Sequence, residues 1–523
     1  MRLALVAYGI LNAVLYASLL PLWEGFDEPF HYAYVQQLSE RHTLPRLGKA
    51  PVSDEVSASL NIAPGSPSVK ANLPQVTTYE DYFRMPPAER LLIRARLERL
   101  PRGYAASTGL NYEAQQAPLA YLLLASADRL WSGLSLPARI WRLRLLCGVF
   151  ASTATAVFLF LLARRLRLPR RLEGPLVFTV LSSQMFYATT AHVSNDWLAV
   201  PLFVALFERL AAIVESPTVR NAVLLAVAIA AGLLAKAYFL ALLPVAVCVV
   251  VALSLKKALP WRGIASFLGL TLAAAGPWYL RNLLLYRNLS GMQETNGGAS
   301  WLVLASAFTR VPWFASFKEM LFASLWTGNN SFWRFSFVTL SMLAAGFLAA
   351  FVACARRLVA QGRPPARELV VWSGCAMYGV SLLYSATVAF WFSQGVSTTA
   401  SPWFIEPLIP ALLSVLFCGL ARSGAAGASI GAWIVCWSAY IVSATYWAKL
   451  IPLYAGYSEG RTTLIRLLPW YRRNFHALLA DPSATAMLRP GPVLALAAVV
   501  AVSAIALAVV LSKRLFQPDR EAA

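Results

Sequence analysis

Charge is scarce in this chain. Only 13% of its 523 residues are Asp, Glu, Lys or Arg, against 58% hydrophobic residues. A soluble domain carries about 25% charged residues, so an ordinary soluble fold is excluded. Acids are scarcer still, 24 against 45 Lys and Arg, which gives a formal charge of +21. In a soluble chain that excess would suggest nucleic acid. Here the basic residues cluster at the ends of apolar runs, where they orient helices and meet anionic headgroups, so no nucleic-acid partner is expected. The six cysteines (147, 248, 354, 375, 418 and 436) lack metal-ligand spacing and fall in or beside apolar runs, so no disulfide framework is expected. There is no Walker, Rossmann or CxxC motif and no repeat of fixed period.

What the chain has is apolar runs near the length that spans a bilayer as helix. The expected fold is an all-α polytopic membrane protein, a bundle of about 12 transmembrane helices with a large first extracytoplasmic loop. The division expected is a first helix at 1–22, the large loop at 23–137 and a transmembrane core at 138–280. A second outer loop follows at 281–335, then C-terminal helices at 336–512 with an outer loop at 448–490, and a cytoplasmic tail at 513–523. No small-residue cleavage site follows the first run, so it reads as a retained helix rather than a signal peptide. The five arginines of 163–171 belong on the cytoplasmic side. That makes 117–132 an interfacial or re-entrant helix and 138–163 the second span. Further spans are expected near 173–190, 197–214, 221–236, 239–255, 263–280, 336–355, 368–390, 403–420, 428–447 and 491–512.

The stretch Trp23–Leu44 organises the outer face. It sets Asp27 and Glu28 where the chain leaves the membrane, with Pro29 suited to the first turn of a new helix. A helix starting there holds both carboxylates at its positive end, and His31 lies four residues from Asp27. Two ionised acids at a membrane edge cost solvation energy and mark a candidate reaction centre. The plainer reading is an N-cap beside a solvated acid.

With this topology Glu80, Asp81, Glu113, His192, Asn195, Asp196, Arg281, Glu294, Arg334 and Glu406 gather on the same side, as do all four histidines (31, 42, 192 and 476). Lys236 is either a snorkelling end residue or a cation for a lipid phosphate. Arg281, beside Trp278 and Tyr279, is either an aromatic-belt anchor or a guanidinium fork for phosphate oxygens. His192, Asn195 and Asp196 either cap the following helix or bind metal or substrate.

Together these pieces resemble the GT-C superfamily of polytopic glycosyltransferases that use polyprenyl-phosphate-linked sugars, which includes protein mannosyltransferases and aminoarabinose transferases. Phe26-Asp27-Glu28-Pro29 resembles the acidic element that opens the first outer loop of uncharacterised bacterial members. Glu113–Tyr121 is similar to the "HPPLYY" element, with Gln116-Ala117 in place of His-Pro. Asn195-Asp196 starting a span, Ala235-Lys236, Pro277–Asn282 and Ser331-Phe332-Trp333 match further elements in order. Ser401–Pro410 resembles "GRYLLPALP" without its Gly-Arg.

The resemblance implies a GT-C-like bundle in a bacterial inner (plasma) membrane, with its site on the periplasmic side. It implies an inverting glycosyltransferase that moves a sugar from a polyprenyl-phosphate donor to an acceptor hydroxyl on a glycan, lipid or protein. Asp27 would be the general base, and Glu28 the second choice. His31, His192, Lys236, Arg281 and Arg334 would bind substrate or lipid phosphate. A divalent metal, Mg or Mn, held by Asp27, Glu28 and Asp196, is open. Two other readings compete: a transporter or flippase of lipid-linked sugars, which should show an internal repeat, and an inactive scaffold.

Overall fold

The computed structural model describes residues 1–104, 106–292, 299–325, 335–457, 463–481 and 485–517. The protein is an all-α polytopic membrane protein. Among the described residues, ten helices are long and apolar enough to cross a membrane, from Arg2–Leu19 and Leu136–Arg165 to Pro490–Leu515. Helix Leu136–Arg165 is central, packed against both Arg2–Leu19 and Asp196–Glu215. Val219–Ala235 packs on Trp261–Tyr286, and Gly424–Thr445 on Pro490–Leu515. All six cysteines are free.

Two expected spans take another form. The run 173–190 divides into Arg170–Leu181 and Gln184–Thr190. Ser183 makes the break, because its hydroxyl accepts from Phe186 N at 3.3 Å and starts a new helix. Val219–Ala235 is a shorter apolar helix that ends at Lys236, whose backbone is extended. The chain doubles back there through a tight turn at Ala237–Ala241 into Leu243–Leu255. Gly232 permits this: a Cβ on it would lie 2.1 Å from the Phe239 ring. The elbow swings Lys236 inward instead of letting it snorkel.

Helix Leu119–Leu130 has 12 residues. That is about 18 Å of helix, too short to cross a hydrocarbon core of about 30 Å. The rest of the first loop is ordered by Glu28–Gln36, Pro87–Glu98 and a small antiparallel pairing of Pro51–Ser53 with Ala106–Leu110. A buried charge network ties this loop to the bundle. Arg139, on the long central helix, pairs with Glu55 and lies 3.5 Å from Asp128, which Arg102 also meets at 2.8 Å.

The elbow is testable. We expect Gly232→Ala to lower stability by about 1–3 kcal/mol through overpacking. Gly269→Ala, where a Cβ would meet nothing within 4 Å, should leave it unchanged. Unfolding of the purified chain in detergent reads both.

Candidate active site

The acidic element sits where the first helix ends. Helix Glu28–Gln36 begins one residue earlier than Pro29, with Asp27 at its N-cap. Asp27 adopts a left-handed backbone, φ 54°. That conformation costs a non-glycine residue about 1–2 kcal/mol, so surrounding contacts must hold it.

The long central helix and the 192–195 turn supply those contacts. Arg144, from the long central helix, donates through Nε to Glu28 Oε1 at 2.7 Å and through Nη2 to Glu28 Oε2. The same guanidinium donates to the carbonyls of Leu20 and Pro21. Glu28 Oε1 also accepts from Val193 N at 3.1 Å. Both charged side chains are fully buried. Burial alone would raise the Glu28 carboxyl, but Arg144 more than offsets it and holds the group below its ordinary range. Gly25 lets the loop press on the 192–195 turn, since a Cβ there would lie 2.8 Å from the His192 side chain.

The pair of acids therefore divides its roles. Glu28 is consumed by Arg144, whereas Asp27 faces a cavity of about 830 Å3. His31, Tyr112, Glu113, His192, Asp196 and Lys236 line that cavity with it. Burial raises the Asp27 carboxyl, while the Tyr112 hydroxyl and Lys236 pull the other way. Glu113 is pushed up to about 8, by burial first and by the charge of Asp27 second. Burial and mutual repulsion thus disfavour the two carboxyls carrying two charges at once.

Both histidines in the cavity are neutral. Burial drives His31 well below its ordinary value and His192 to about 4. His31 Nδ1 lies 2.8 Å from the Tyr121 hydroxyl and 3.5 Å from Glu113 Oε2. His192 Nε2 meets the Phe26 carbonyl at 3.1 Å, so that nitrogen carries the proton. Its Nδ1 is then an acceptor, buried without a hydrogen-bond partner among the described residues.

Lys236 is buried and points at Asp196, with Nζ 2.7 and 2.6 Å from the two carboxylate oxygens. It also lies 4.5 Å over the Tyr238 ring. Aromatic side chains form a further wall. Trp403 packs on Phe26 at 4.7 Å, and Phe404 on Tyr238 at 5.3 Å between ring centres.

Other expected site residues lie elsewhere. Arg281 lies outside the cavity lining: it donates to Pro45 O at 2.8 Å and sits 4.7 Å over the Trp278 ring, as a belt anchor does. Asn195 occupies the N-cap position of its helix, yet its side chain does not cap. It donates instead to Gln116 Oε1 and Ala235 O, at 3.1 and 3.3 Å, and Ser194 Oγ accepts from Asp196 N. Glu406 is buried away from the cavity lining. Arg334, Glu294 and the Ser331-Phe332-Trp333 element lie outside the described residues.

Of the acids expected to hold a divalent metal, Glu28 and Asp196 are each engaged by a basic side chain, Arg144 and Lys236. No group of three or more His, Cys, Asp or Glu able to hold a metal ion occurs among the described residues. Arg144, Tyr112 and Tyr121 are the participants the sequence did not single out. Arg144 sits in IWRLRLL and reads there as one flanking cation among several.

No protein-family model matches the sequence, and no curated protein is similar to it. Among solved structures the chain is similar to ArnT from Cupriavidus metallidurans bound to undecaprenyl phosphate. That similarity covers 98% of this chain and 76% of the other, at 13% identity and a TM-score of 0.48. For the apo state of the same protein the figures are 92%, 74%, 14% and 0.41. Similarity of this size fixes neither activity nor ligand.

Two outcomes are expected. Arg144→Met leaves a buried carboxylate unpaired and should cost about 3–5 kcal/mol, most of it recovered in Arg144→Met with Glu28→Met. Unfolding in detergent reads both, and an equal loss in the double variant would refute the pairing. The second concerns pH. Between the ordinary carboxyl value of 4.5 and about 8, the folded state holds a proton on Glu113 that the unfolded chain has lost. Stability therefore falls as pH rises through that window. Glu113→Gln should flatten the melting temperature across pH 5 to 8.

Proposed function

We propose that the chain is a membrane glycosyltransferase that moves a sugar from a polyprenyl-phosphate donor to an acceptor hydroxyl. It works on the face that carries the large first loop, the periplasmic side of a bacterial inner membrane. One observation carries this reading. A strained Asp27 faces a cavity that also holds a cation and aromatic walls, directly where the first helix leaves the membrane. The ordered match of the sequence motifs to the GT-C superfamily supports the donor class.

In this reading Asp27 is the general base. It accepts the acceptor hydroxyl's proton as that oxygen attacks the anomeric carbon. The new C–O bond forms while the bond from that carbon to the phosphate oxygen breaks, and its electron pair leaves with the polyprenyl phosphate. A single displacement inverts the anomeric centre. The raised Asp27 carboxyl suits a base that works near neutral pH. Lys236 is the cavity's cation for the phosphate. Neutral Glu113 and His31 offer hydrogen bonds without adding charge. The aromatic wall of Trp403 and Phe404 directly follows Ser401-Pro402, where the resembled motif has Gly-Arg, so in this reading sugar stacking stands in for a guanidinium contact.

The test is transfer from a polyprenyl-phosphate sugar in proteoliposomes. Asp27→Asn should lower the rate by about 10²–10⁴. Undiminished transfer would remove Asp27 as the base. A folded wild-type chain that transfers nothing from any such donor would favour the scaffold.

A further inference from the structure

The chain between the last two spans holds a helix with three faces rather than two. Helix Leu464–Ala480 packs on the last span, Pro490–Leu515. It lies at the Asp27 end of the bundle: Trp470 and Asn474 share a cavity with Leu19, the last residue of the first helix. Asp481, just beyond the helix, meets Arg90 of the first loop at 3.1 Å.

One face meets the protein. Leu467 is fully buried, and Trp470, Tyr471, Asn474 and Leu478 are half-buried along the same side. The Tyr471 hydroxyl donates to the Trp447 carbonyl at 2.6 Å. A second face carries Ile465, Leu468, Phe475 and Leu479, which are 79, 57, 45 and 40% exposed. Their helical spacing makes a continuous apolar stripe beside the buried one. A third face carries Arg466, Arg473 and His476, all exposed. Arg472 falls inside the apolar stripe, where its long stem brings the charge to the edge. The helix holds three arginines and no Asp or Glu.

A helix that faces only water buries its apolar residues and shows polar ones, so the second face has no place there. The edge of a bilayer offers acyl chains on one side and phosphates directly beside them, which is the pattern of the second and third faces. The Tyr471 bond and the packing on Pro490–Leu515 hold the helix at the mouths of the two spans it joins, Gly424–Tyr454 and Pro490–Leu515. Its exposed stripe therefore continues the lipid-facing surface of those spans.

We infer that helix Leu464–Ala480 lies flat in the headgroup layer on the Asp27 side, with its apolar stripe among acyl chains and its arginines on the phosphates of anionic phospholipid. Its 17 residues cover about 25 Å of that layer. The helix anchors the outer end of the last span to the surface and, through Arg90 and Asp481, ties the first loop to it. This is independent of the glycosyltransferase reading, since the described lining of the Asp27 cavity includes none of the helix's residues.

The experiment uses the full chain in proteoliposomes of equal phosphatidylcholine and phosphatidylglycerol. The photoreactive residue p-benzoylphenylalanine replaces Leu468, Phe475 or, as a reference, Ile505, which is 57% exposed on the last span. After irradiation, intact mass identifies each adduct. Phospholipid adducts are expected at all three positions, with phosphatidylglycerol enriched over phosphatidylcholine at Leu468 and Phe475. Arg466→Gln with Arg473→Gln should lower that enrichment by about fivefold for each arginine. Arg466→Lys with Arg473→Lys should retain it, and an unchanged adduct at Ile505 reports that the variants remain inserted. Lipid adducts at Ile505 alone would overturn the inference, as would crosslinks from Leu468 and Phe475 to a second copy of the chain. Enrichment unaltered by the Gln pair would remove the arginines as phosphate ligands.

Discussion

The site depends on one buried ion pair. Arg144 and Glu28 are both inaccessible to solvent, and 116 residues separate them in sequence. Taking two charges out of water costs several kcal/mol each, and attraction repays this only with saturated hydrogen bonding. Here the saturation is thorough. The guanidinium also binds the Leu20 and Pro21 carbonyls, and the carboxylate also takes Val193 N. These extra bonds tie the end of the first helix, the acidic loop and the 192–195 turn to one point on the central helix. The left-handed backbone at Asp27 follows from that anchoring. Glu28 is fixed on one side, so its neighbour is turned toward the cavity.

The electrostatics of the cavity follow a single logic. Lys236 is matched by Asp196, Glu113 is pushed toward its protonated form, and both histidines are neutral. Asp27 is left to share the influence of Lys236, already matched by Asp196, and of the Tyr112 hydroxyl. In a poorly solvated pocket a partly compensated charge is felt more strongly than in water. The same low dielectric that raises its carboxyl also makes it a stronger base. A second ionised acid would weaken this, and the raised Glu113 carboxyl disfavours it.

Much of the architecture was legible because hydropathy and helix length respond to the same constraint, the thickness of a bilayer. The short helix at 119–130 could be recognised from the arginines that follow it. The break at Ser183 and the elbow at Lys236 could not, since both lie inside continuous apolar runs. At the site, adjacency picked out Asp27 and Glu28 but could not say which faced a partner. That needed Arg144, which looks like any flanking cation until its position on a helix is known. Lys236 and Arg281 each offered a structural and a phosphate-binding reading in sequence, and the structure places them differently. The elbow turned Lys236 inward, and Arg281 stayed on Trp278 at the belt. Asn195 misled because it stands at a cap position but spends its amide on another segment.

In the proposed reaction, recognition of a lipid-borne donor cannot rest on its tail. Bilayer and helix bundle are both apolar, so moving a prenyl chain between them releases little hydrophobic energy. Nor can it rest on bare charge. The Lys236 ammonium has three donors, and two already serve the oxygens of Asp196. One donor remains for a phosphate oxygen, and the nearby carboxylate weakens the attraction. Affinity must then come from the sugar. The aromatic faces of Trp403, Phe404 and Tyr238, the unpartnered acceptor of His192 and the acid proton of Glu113 match a hydroxyl-rich ring in both stacking and hydrogen bonding. A site built this way discriminates by the sugar more than by the lipid. Under the proposed function, Ser401-Pro402 standing where the resembled motif has Gly-Arg is a shift of binding energy from phosphate to carbohydrate.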